Sequence, residues 1–118
     1  MQMRAERRTP FVPAEAGTQE PNAMSFYVYI VASRRNGTLY TGTTDDLVRR
    51  IWQHRTGAVP GFTSKYGVKM LVWYEQHEAR ESALIRERQI KKWNRSWKLQ
   101  LIEQTNPVWR DLWDDICV

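Results

Sequence analysis

Two short segments with alternating side chains predict a β-hairpin near the start of the patterned part of the chain. Residues 26–31 have strand periodicity, so consecutive side chains point to opposite faces. Residues 40–42 supply the partner segment, and an Asn-Gly pair at 36 and 37 tolerates the positive φ of a tight turn. If the register allows, Tyr40 stands beside Tyr29 across the strand pair. Cross-strand packing alone explains two tyrosines here.

Helical periodicity predicts three helices downstream. The first runs from about Asp45 to Arg55, with a threonine hydroxyl at its N-terminus and Gly57 after its C-terminus. The second runs from about Ala79 to Trp93, and a shorter one from Ser96 to Gln104. The apolar face of the first helix comprises Leu47, Val48, Ile51 and Trp52.

The segments between the helices predict one strand, one loop and a tail. Residues 70–74 are a nearly continuous apolar run, which predicts the central strand of the sheet. Residues 58–67 contain glycines and a proline and predict a loop, in which Thr63, Ser64 and Lys65 are available to touch a phosphate. Residues 108–116, after Asn106 and Pro107, predict a tail that lies across the domain.

Three polar side chains fall beside the apolar faces of these helices. Arg50 and His54 are four residues apart, so they lie on the same side of the first helix. Glu87 falls on the inward side of the second helix, and glutamates are rarely buried without a partner or a metal. A surface ion pair of Asp46 with Arg50, or a salt bridge of Glu87 with Arg50, would explain these positions without catalysis.

Composition indicates one soluble domain after a leader. A chain of 118 residues with 42% hydrophobic content fits one compact domain. Residues 1–23 hold three prolines and no apolar periodicity, so we expect a disordered leader and a folded domain at 24–118, with Met24 a candidate start. No apolar segment reaches membrane-spanning length. Cys117 is the only cysteine, which excludes an internal disulfide and fits the cytoplasm.

Positive charge is concentrated in the second predicted helix and just after it. The leader balances three Arg with three Glu, and the tail carries one Arg against three Asp, so the segment in between is more positive than the +5 of the whole chain. The cluster comprises Arg86, Arg88, Lys91, Lys92, Arg95 and Lys98. Such density suggests a polyanionic partner, although a solvated helix face is the alternative. Trp93 and Trp97 within it can stack on bases, but core burial explains them better.

The tyrosine motifs and these polar residues together resemble the GIY-YIG nuclease superfamily over residues 25–105. The likeness is to its small stand-alone bacterial members, related to the nuclease domain of a bacterial excision-repair nuclease and to intron homing endonucleases. Residues 27–29 stand where the first motif has Gly-Ile-Tyr, and 40–42 where the second has Tyr-Ile-Gly. Tyr27 and Thr41 depart from these motifs, but neither departure removes a side chain proposed to act.

The resemblance extends to the helices. Arg50 falls at the family's helical arginine, and His54 at a position often occupied by His or Tyr. Glu87 fits the metal-binding glutamate, and Asn94 fits a downstream polar position. Each triplet is weak evidence alone, whereas five matches in order are strong.

The resemblance implies an α+β fold, a three-stranded antiparallel sheet flanked by helices, and hydrolysis of phosphodiesters with one Mg²⁺ or Mn²⁺. Glu87 would hold the ion, and Arg50 would contact the scissile phosphate with its planar fork of donors. Tyr29 would activate water while Tyr40 orients it. Alternatively, Tyr29 would position the water while His54 passes the proton along.

The expected substrate is DNA, bound with structure selectivity and little sequence readout, in repair or recombination; RNA is a second candidate. We expect no membrane partner, and the oligomeric state is open. The expected substrate-binding residues are Lys65, Arg88, Lys91, Lys92, Asn94 and Arg95. A non-catalytic nucleic-acid-binding module is the alternative function. A protein-interaction module that docks through Trp109 and Trp113 is a third.

Overall fold

A computed structural model of the chain describes residues 25–117, which form a three-stranded antiparallel sheet flanked by helices. The predicted α+β fold is confirmed. The leader at 1–23 and Met24 lie outside the described residues. The elements are β1 (Phe26–Ala32), β2 (Leu39–Thr44), α1 (Leu47–Thr56), α2 (Phe62–Lys65), β3 (Met70–His77), α3 (Arg80–Lys92), α4 (Arg95–Thr105) and α5 (Trp113–Ile116).

The central strand is β1, which pairs antiparallel with both β2 and β3. The prediction that residues 70–74 form the central strand is therefore wrong. Leu71, Val72 and Trp73 are buried in an edge strand because both faces of the sheet are covered, and a later segment covers the edge itself. The backbone N–H of Leu112 donates to the carbonyl of Leu71 (2.8 Å), and the N–H of Leu71 donates to the Asp111 carboxylate (3.3 Å). The Asn106 amide donates to the Val72 carbonyl (3.1 Å).

The two faces of the sheet carry separate apolar clusters, as strand alternation requires. One face packs against α3, α4 and the start of the tail. Its buried members include Val28, Ile30, Val72, Ala83, Ile90, Ile102 and Trp109. The other face packs against α1 and α5. Its buried members are Tyr29, Val31, Leu47, Ile51, Val68, Leu71 and Ile116. Tyr29 and α1 therefore share one layer.

The first helix begins two residues later than predicted, and its cap differs. The Asp46 carboxylate, not a threonine hydroxyl, accepts from the Arg49 N–H at the N-terminus (3.1 Å). Gly57 ends the helix at φ 68°, a left-handed conformation that glycine adopts without strain. The assignment of Trp52 to the apolar face is wrong, since its side chain is 51% exposed. The second predicted helix agrees with α3 to within a residue at each end.

One connection agrees closely with its prediction and one differs. The hairpin connection comprises residues 33–38, since β1 ends at Ala32 and β2 begins at Leu39. Asn36 has the expected positive φ of 58°, within a turn closed by the Gly37 N–H and the Arg34 carbonyl (2.9 Å). The segment 58–67, predicted as a loop, contains the short helix α2.

Candidate active site

Strand register brings the two tyrosines to one face as diagonal neighbours. Tyr29 lies opposite Gly42, and Tyr40 lies opposite Val31. The ring of Tyr29 extends over Gly42, because a Cβ added to that glycine would lie 2.5 Å from the Tyr29 hydroxyl oxygen. The glycine of the second motif is therefore required by a close approach and not by a turn. The two phenols are neighbours, as expected, although they are not directly opposite.

A hydrogen-bonded chain runs from Tyr29 through α1 to α2. The Tyr29 hydroxyl lies 2.9 Å from Nε2 of His54, and Nδ1 of His54 lies 2.9 Å from the Thr63 hydroxyl. Tyr29 is fully buried and Thr63 is buried. With the imidazole proton on Nδ1, His54 donates to Thr63 and accepts from Tyr29. The structure thus places His54 directly against the first of the two tyrosines.

The surroundings shift the pKa values of Tyr29 and His54. Burial raises the pKa of Tyr29 to about 12, although hydrogen bonding and positive charge from Arg50 act in the opposite direction. Burial also lowers the pKa of His54 below its ordinary value of 6.5, and the charge of Arg50 adds to this effect. Near neutral pH the phenol is therefore protonated and the imidazole is neutral. A neutral imidazole beside a protonated phenol is a ready proton acceptor.

A polar cavity of about 210 Å³ opens beside this chain. Tyr40, Gly42, Arg50 and Glu87 are among the residues that line it. The ring centroid of Tyr40 lies 5.7 Å from that of His54, so this tyrosine contacts both the cavity and the imidazole. Tyr29 lies behind Gly42. The structure thus brings together all five residues that the sequence singled out for catalysis.

Glu87 is held by neighbours that the sequence did not indicate. The Thr43 hydroxyl donates to its Oε1, and the Lys91 ammonium lies 2.5 Å from its Oε2. The alternative of a Glu87–Arg50 salt bridge is therefore replaced by an ion pair within α3. Arg50 donates instead to the Thr43 carbonyl (3.5 Å). The Asp46 carboxylate caps α1, which replaces the alternative of a surface pair with Arg50.

The donor set suits one hydrated divalent ion. Within residues 25–117, no group of three or more His, Cys, Asp or Glu side chains forms a metal cage. Mg²⁺ keeps several waters and binds through one or two carboxylates together with substrate phosphates. Glu87 offers one carboxylate at the cavity wall. Lys91, whose side chain is half exposed, already places a cation on that carboxylate.

Some predicted substrate-binding residues are exposed in the structure and others are engaged. Lys65, Arg88 and Lys92 are exposed. Asn94 caps α4, because its side-chain oxygen accepts from the Trp97 N–H (3.0 Å). Arg95 donates to the carbonyls of Asn36 and Gly37 in the hairpin turn. The side chains of Asn94 and Arg95 therefore have structural roles.

The tail tryptophans are not a free docking surface. Trp109 is 2% exposed and donates from its ring N–H to Glu103 (2.7 Å). Trp113 is partly buried against α1, with the Arg55 guanidinium 5.1 Å from its ring. The structure therefore gives no support to the third candidate function, a protein-interaction module that docks through Trp109 and Trp113. Within the described part of the chain, no helix is both long and apolar enough to cross a membrane.

Sequence reasoning missed the roles of three residues that shape the site. Thr43 holds Glu87, Gly42 admits the Tyr29 ring, and Thr63 holds His54. The motif itself signalled the glycine, whereas its reason needed the strand register. Thr63 was expected to touch a phosphate, but it is buried on the imidazole.

Comparison with known proteins shows the family to which the sequence is similar. The model of the GIY-YIG catalytic domain matches residues 25–100. A UPF0213 protein of Haloquadratum walsbyi is 40% identical over 82 residues, which cover 70% of this chain and 91% of that relative. A UPF0213 protein of Staphylococcus saprophyticus is 37% identical over 78 residues, 66% of this chain and 94% of the relative. The solution NMR structure of a UPF0213 protein from Bacillus halodurans is 32% identical, with a TM-score of 0.48, over 75% of this chain and 93% of that one.

Proposed function

Because this chain belongs to the GIY-YIG catalytic domain family, we propose that it is a divalent-metal-dependent endonuclease that hydrolyses phosphodiester bonds. One observation supports this most directly. A guanidinium, Arg50, and a carboxylate, Glu87, line one cavity beside the Tyr29–His54 chain. Phosphodiester hydrolysis needs a cation at the phosphate, a metal ligand and a proton acceptor, and these side chains supply all three.

Arg50 is the proposed phosphate ligand. Its planar fork of donors matches two phosphate oxygens at once, a geometry that lysine cannot copy. Glu87 would hold Mg²⁺ or Mn²⁺, and the ion, when bound, would balance charge on the phosphate and assist the leaving oxygen. Lys91 must release Glu87 before an ion binds there, and its half-exposed side chain can turn towards a substrate phosphate.

The pKa values favour His54 as the final proton acceptor. At a pKa of about 12, ionising Tyr29 at pH 7 costs about 7 kcal/mol, compared with about 4 kcal/mol for an ordinary phenol. A bare tyrosinate is therefore a poor base. We propose that Tyr29 receives the proton of the attacking water as its own proton passes to Nε2 of His54, 2.9 Å away.

Gly42 and Tyr40 would guide the water. Tyr29 is buried behind Gly42, which lines the cavity and places no Cβ in front of the hydroxyl. Tyr40 faces the same cavity and would orient the water by hydrogen bonding. Thr63 would hold the imidazole in the tautomer that accepts from Tyr29.

The proposed substrate is DNA, bound through phosphate contacts with structure selectivity, and a role in repair or recombination would follow. Exposed cations on α3, among them Arg88 and Lys92, support binding that weakens steeply with salt. The single cysteine supports a cytoplasmic location, since disulfides are rare there.

Cleavage assays test the proposal. Purified protein is incubated with supercoiled, linear and branched DNA, with and without Mg²⁺ or Mn²⁺. We expect metal-dependent cleavage that Glu87→Gln and Arg50→Ala each abolish. Glu81→Gln is the matched control, because Glu81 is exposed on the same helix and does not line the cavity. A folded Glu87→Gln protein that cuts at the normal rate would disprove the assignment.

A non-catalytic nucleic-acid-binding module is the second candidate, and the ion pair between Lys91 and Glu87 favours it, since a permanently bound ammonium would keep a metal away. Binding to DNA without cleavage of any of these substrates, with metal present, would support the module.

A further inference from the structure

A row of aromatic rings leads from the cavity wall to the exposed surface. The ring centroid of Tyr40, on the cavity wall, lies 6.1 Å from that of Phe62, which lies 4.8 Å from that of Tyr66. Phe62 is 48% exposed and Tyr66 is 50% exposed. We call these three residues the aromatic row. Large aromatic side chains grouped at the surface beside polar residues mark interaction sites.

A lysine accompanies each end of the aromatic row. The Lys91 ammonium lies 5.8 Å from the ring centroid of Tyr40, and the Lys65 ammonium lies 5.4 Å from that of Tyr66. Aromatic rings flanked by cations suit a nucleic-acid strand, because its bases can stack on the rings while its phosphates contact the lysines. This charge pattern favours a nucleic acid over an apolar protein segment as the occupant.

The position of the aromatic row is tied to the catalytic residues. Phe62 and Thr63 are neighbours in α2, and the Thr63 hydroxyl bonds to His54. The helix thus holds the aromatic row at a set distance from the Tyr29–His54 pair. The ring centroids are 6.1 Å and 4.8 Å apart, less than twice the stacking distance of about 3.4 Å, so no base fits between two rings. Bases can stack on the exposed faces of Phe62 and Tyr66, which gives room for about one or two nucleotides.

We propose that the aromatic row is a stacking subsite for unpaired nucleotides next to the scissile phosphate, and that the substrate is therefore single-stranded or locally unpaired at the cut. This inference rests on the proposed nuclease function. In a duplex, each base face already stacks on its neighbours, so only an unpaired base offers a face to Phe62 or Tyr66. Because every base has such a face, the subsite reads pairing state and not sequence.

Matched oligonucleotides test the subsite by activity. The same labelled sequence is presented as a single strand, as a full duplex and as a duplex with a short unpaired segment. We expect Phe62→Ala and Tyr66→Ala each to lower kcat/KM on the unpaired substrates at least about fivefold, chiefly through KM, with a smaller effect on the duplex. Tyr66→Phe should retain the wild-type value because it keeps the ring. Phe62→Leu keeps apolar bulk without a ring, so it should behave like Phe62→Ala.

The control variant is Trp52→Ala. Trp52 is 51% exposed on α1, two residues from His54 and hence on the opposite side of that helix. It should leave the preference for unpaired substrates unchanged. Far-ultraviolet circular dichroism and Tm confirm that every variant is folded. Equal losses on single strand and duplex, or full activity of the Phe62→Ala, Tyr66→Ala double variant, would overturn the subsite while the nuclease proposal stands.

A binding measurement separates the two proposals. A single strand that carries 2-aminopurine is titrated with Glu87→Gln protein, and stacking on the aromatic row should quench its fluorescence. Adding Phe62→Ala and Tyr66→Ala should remove most of the quenching. If the wild type cleaves nothing but the quenching follows the rings, the nuclease proposal fails and the subsite holds. If the quenching is unchanged by both substitutions, the bases do not stack on these rings and the subsite is overturned. The exposed rings would then contact another partner, such as a second copy of this chain.

Discussion

Replacing His54 by alanine should change both the rate of cleavage and its dependence on pH. The imidazole lies 2.9 Å from a Tyr29 hydroxyl whose pKa burial raises to about 12. Without His54, the phenol must lose its proton to solvent, which at pH 7 costs about 7 kcal/mol, or on the order of 10⁵ in rate. A positioned proton acceptor usually contributes about 10²–10⁴. We therefore expect His54→Ala to lower the single-turnover rate at pH 7 by about 10²–10⁴.

The pH profiles should differ in shape. Neutral His54 accepts a proton and charged His54 does not, and burial with the charge of Arg50 lowers its pKa below 6.5. Wild-type activity should therefore be constant at pH values above the pKa of His54 and should fall only as the pH drops below that pKa. In His54→Ala, activity should rise about tenfold per pH unit towards pH 10, as the fraction of ionised Tyr29 increases.

The assay is single-turnover cleavage of a labelled oligonucleotide at fixed Mg²⁺, from about pH 5 to about pH 10. His77→Ala is the matched control, because His77 contacts Ser82 and Glu75 outside the cavity. It should keep the wild-type profile. A His54→Ala protein with the wild-type plateau would refute the proton transfer from Tyr29 to His54.

Three further predictions concern packing, alkaline stability and helix capping. Gly42→Ala should place a Cβ 2.5 Å from the Tyr29 hydroxyl oxygen. The clash should lower the free energy of unfolding by about 1–3 kcal/mol, measured by thermal unfolding, and should suppress cleavage. An active variant of unchanged stability would contradict the close approach. Because the pKa of Tyr29 is 10 unfolded and about 12 folded, the free energy of unfolding should fall by up to about 2.7 kcal/mol from pH 10 to pH 12. In urea titrations, Tyr29→Phe should remove the part of this pH dependence that comes from Tyr29. Tyr27, whose pKa is also raised to about 12, should still contribute its part. Asn94→Ala should lower the free energy of unfolding by about 1 kcal/mol, whereas an unchanged urea midpoint would exclude the cap.

The parts of the fold that depend on local pattern could be predicted from the sequence. Alternation placed Tyr29 on one face of β1, and helical periodicity placed Arg50 with His54 on α1 and Glu87 on the inner side of α3. These predictions rest on periods of 2 and 3.6 residues, which hold whatever the element packs against. Gly57 marked the end of α1 for a similarly local reason, its left-handed φ.

The parts that depend on distances between elements could not. The apolar run in β3 suggested a central strand, because a sequence does not reveal that a later segment will cover its edge. Glu87 accepts from Thr43 on β2 and does not pair with Arg50, because the spacing of β2 and α1 from α3 decides which groups reach the carboxylate. Its ion pair with Lys91, in contrast, follows from the four-residue spacing within α3. Thr63 lay in a predicted loop, and its contact with His54 depends on how α2 folds back.

The tail that covers β3 has a consequence for self-association. Asp111 and Leu112 of the tail, with Asn106 just before it, occupy hydrogen-bonding groups of Leu71 and Val72 that an open edge strand would offer to another chain. The GIY-YIG match ends at residue 100, so this protection comes from residues beyond it. Loss of these contacts would leave the outer edge of β3 open to pairing with another chain. In this small fold, protection of the outer edge of β3 thus comes from a stretch of the chain that the family match does not include.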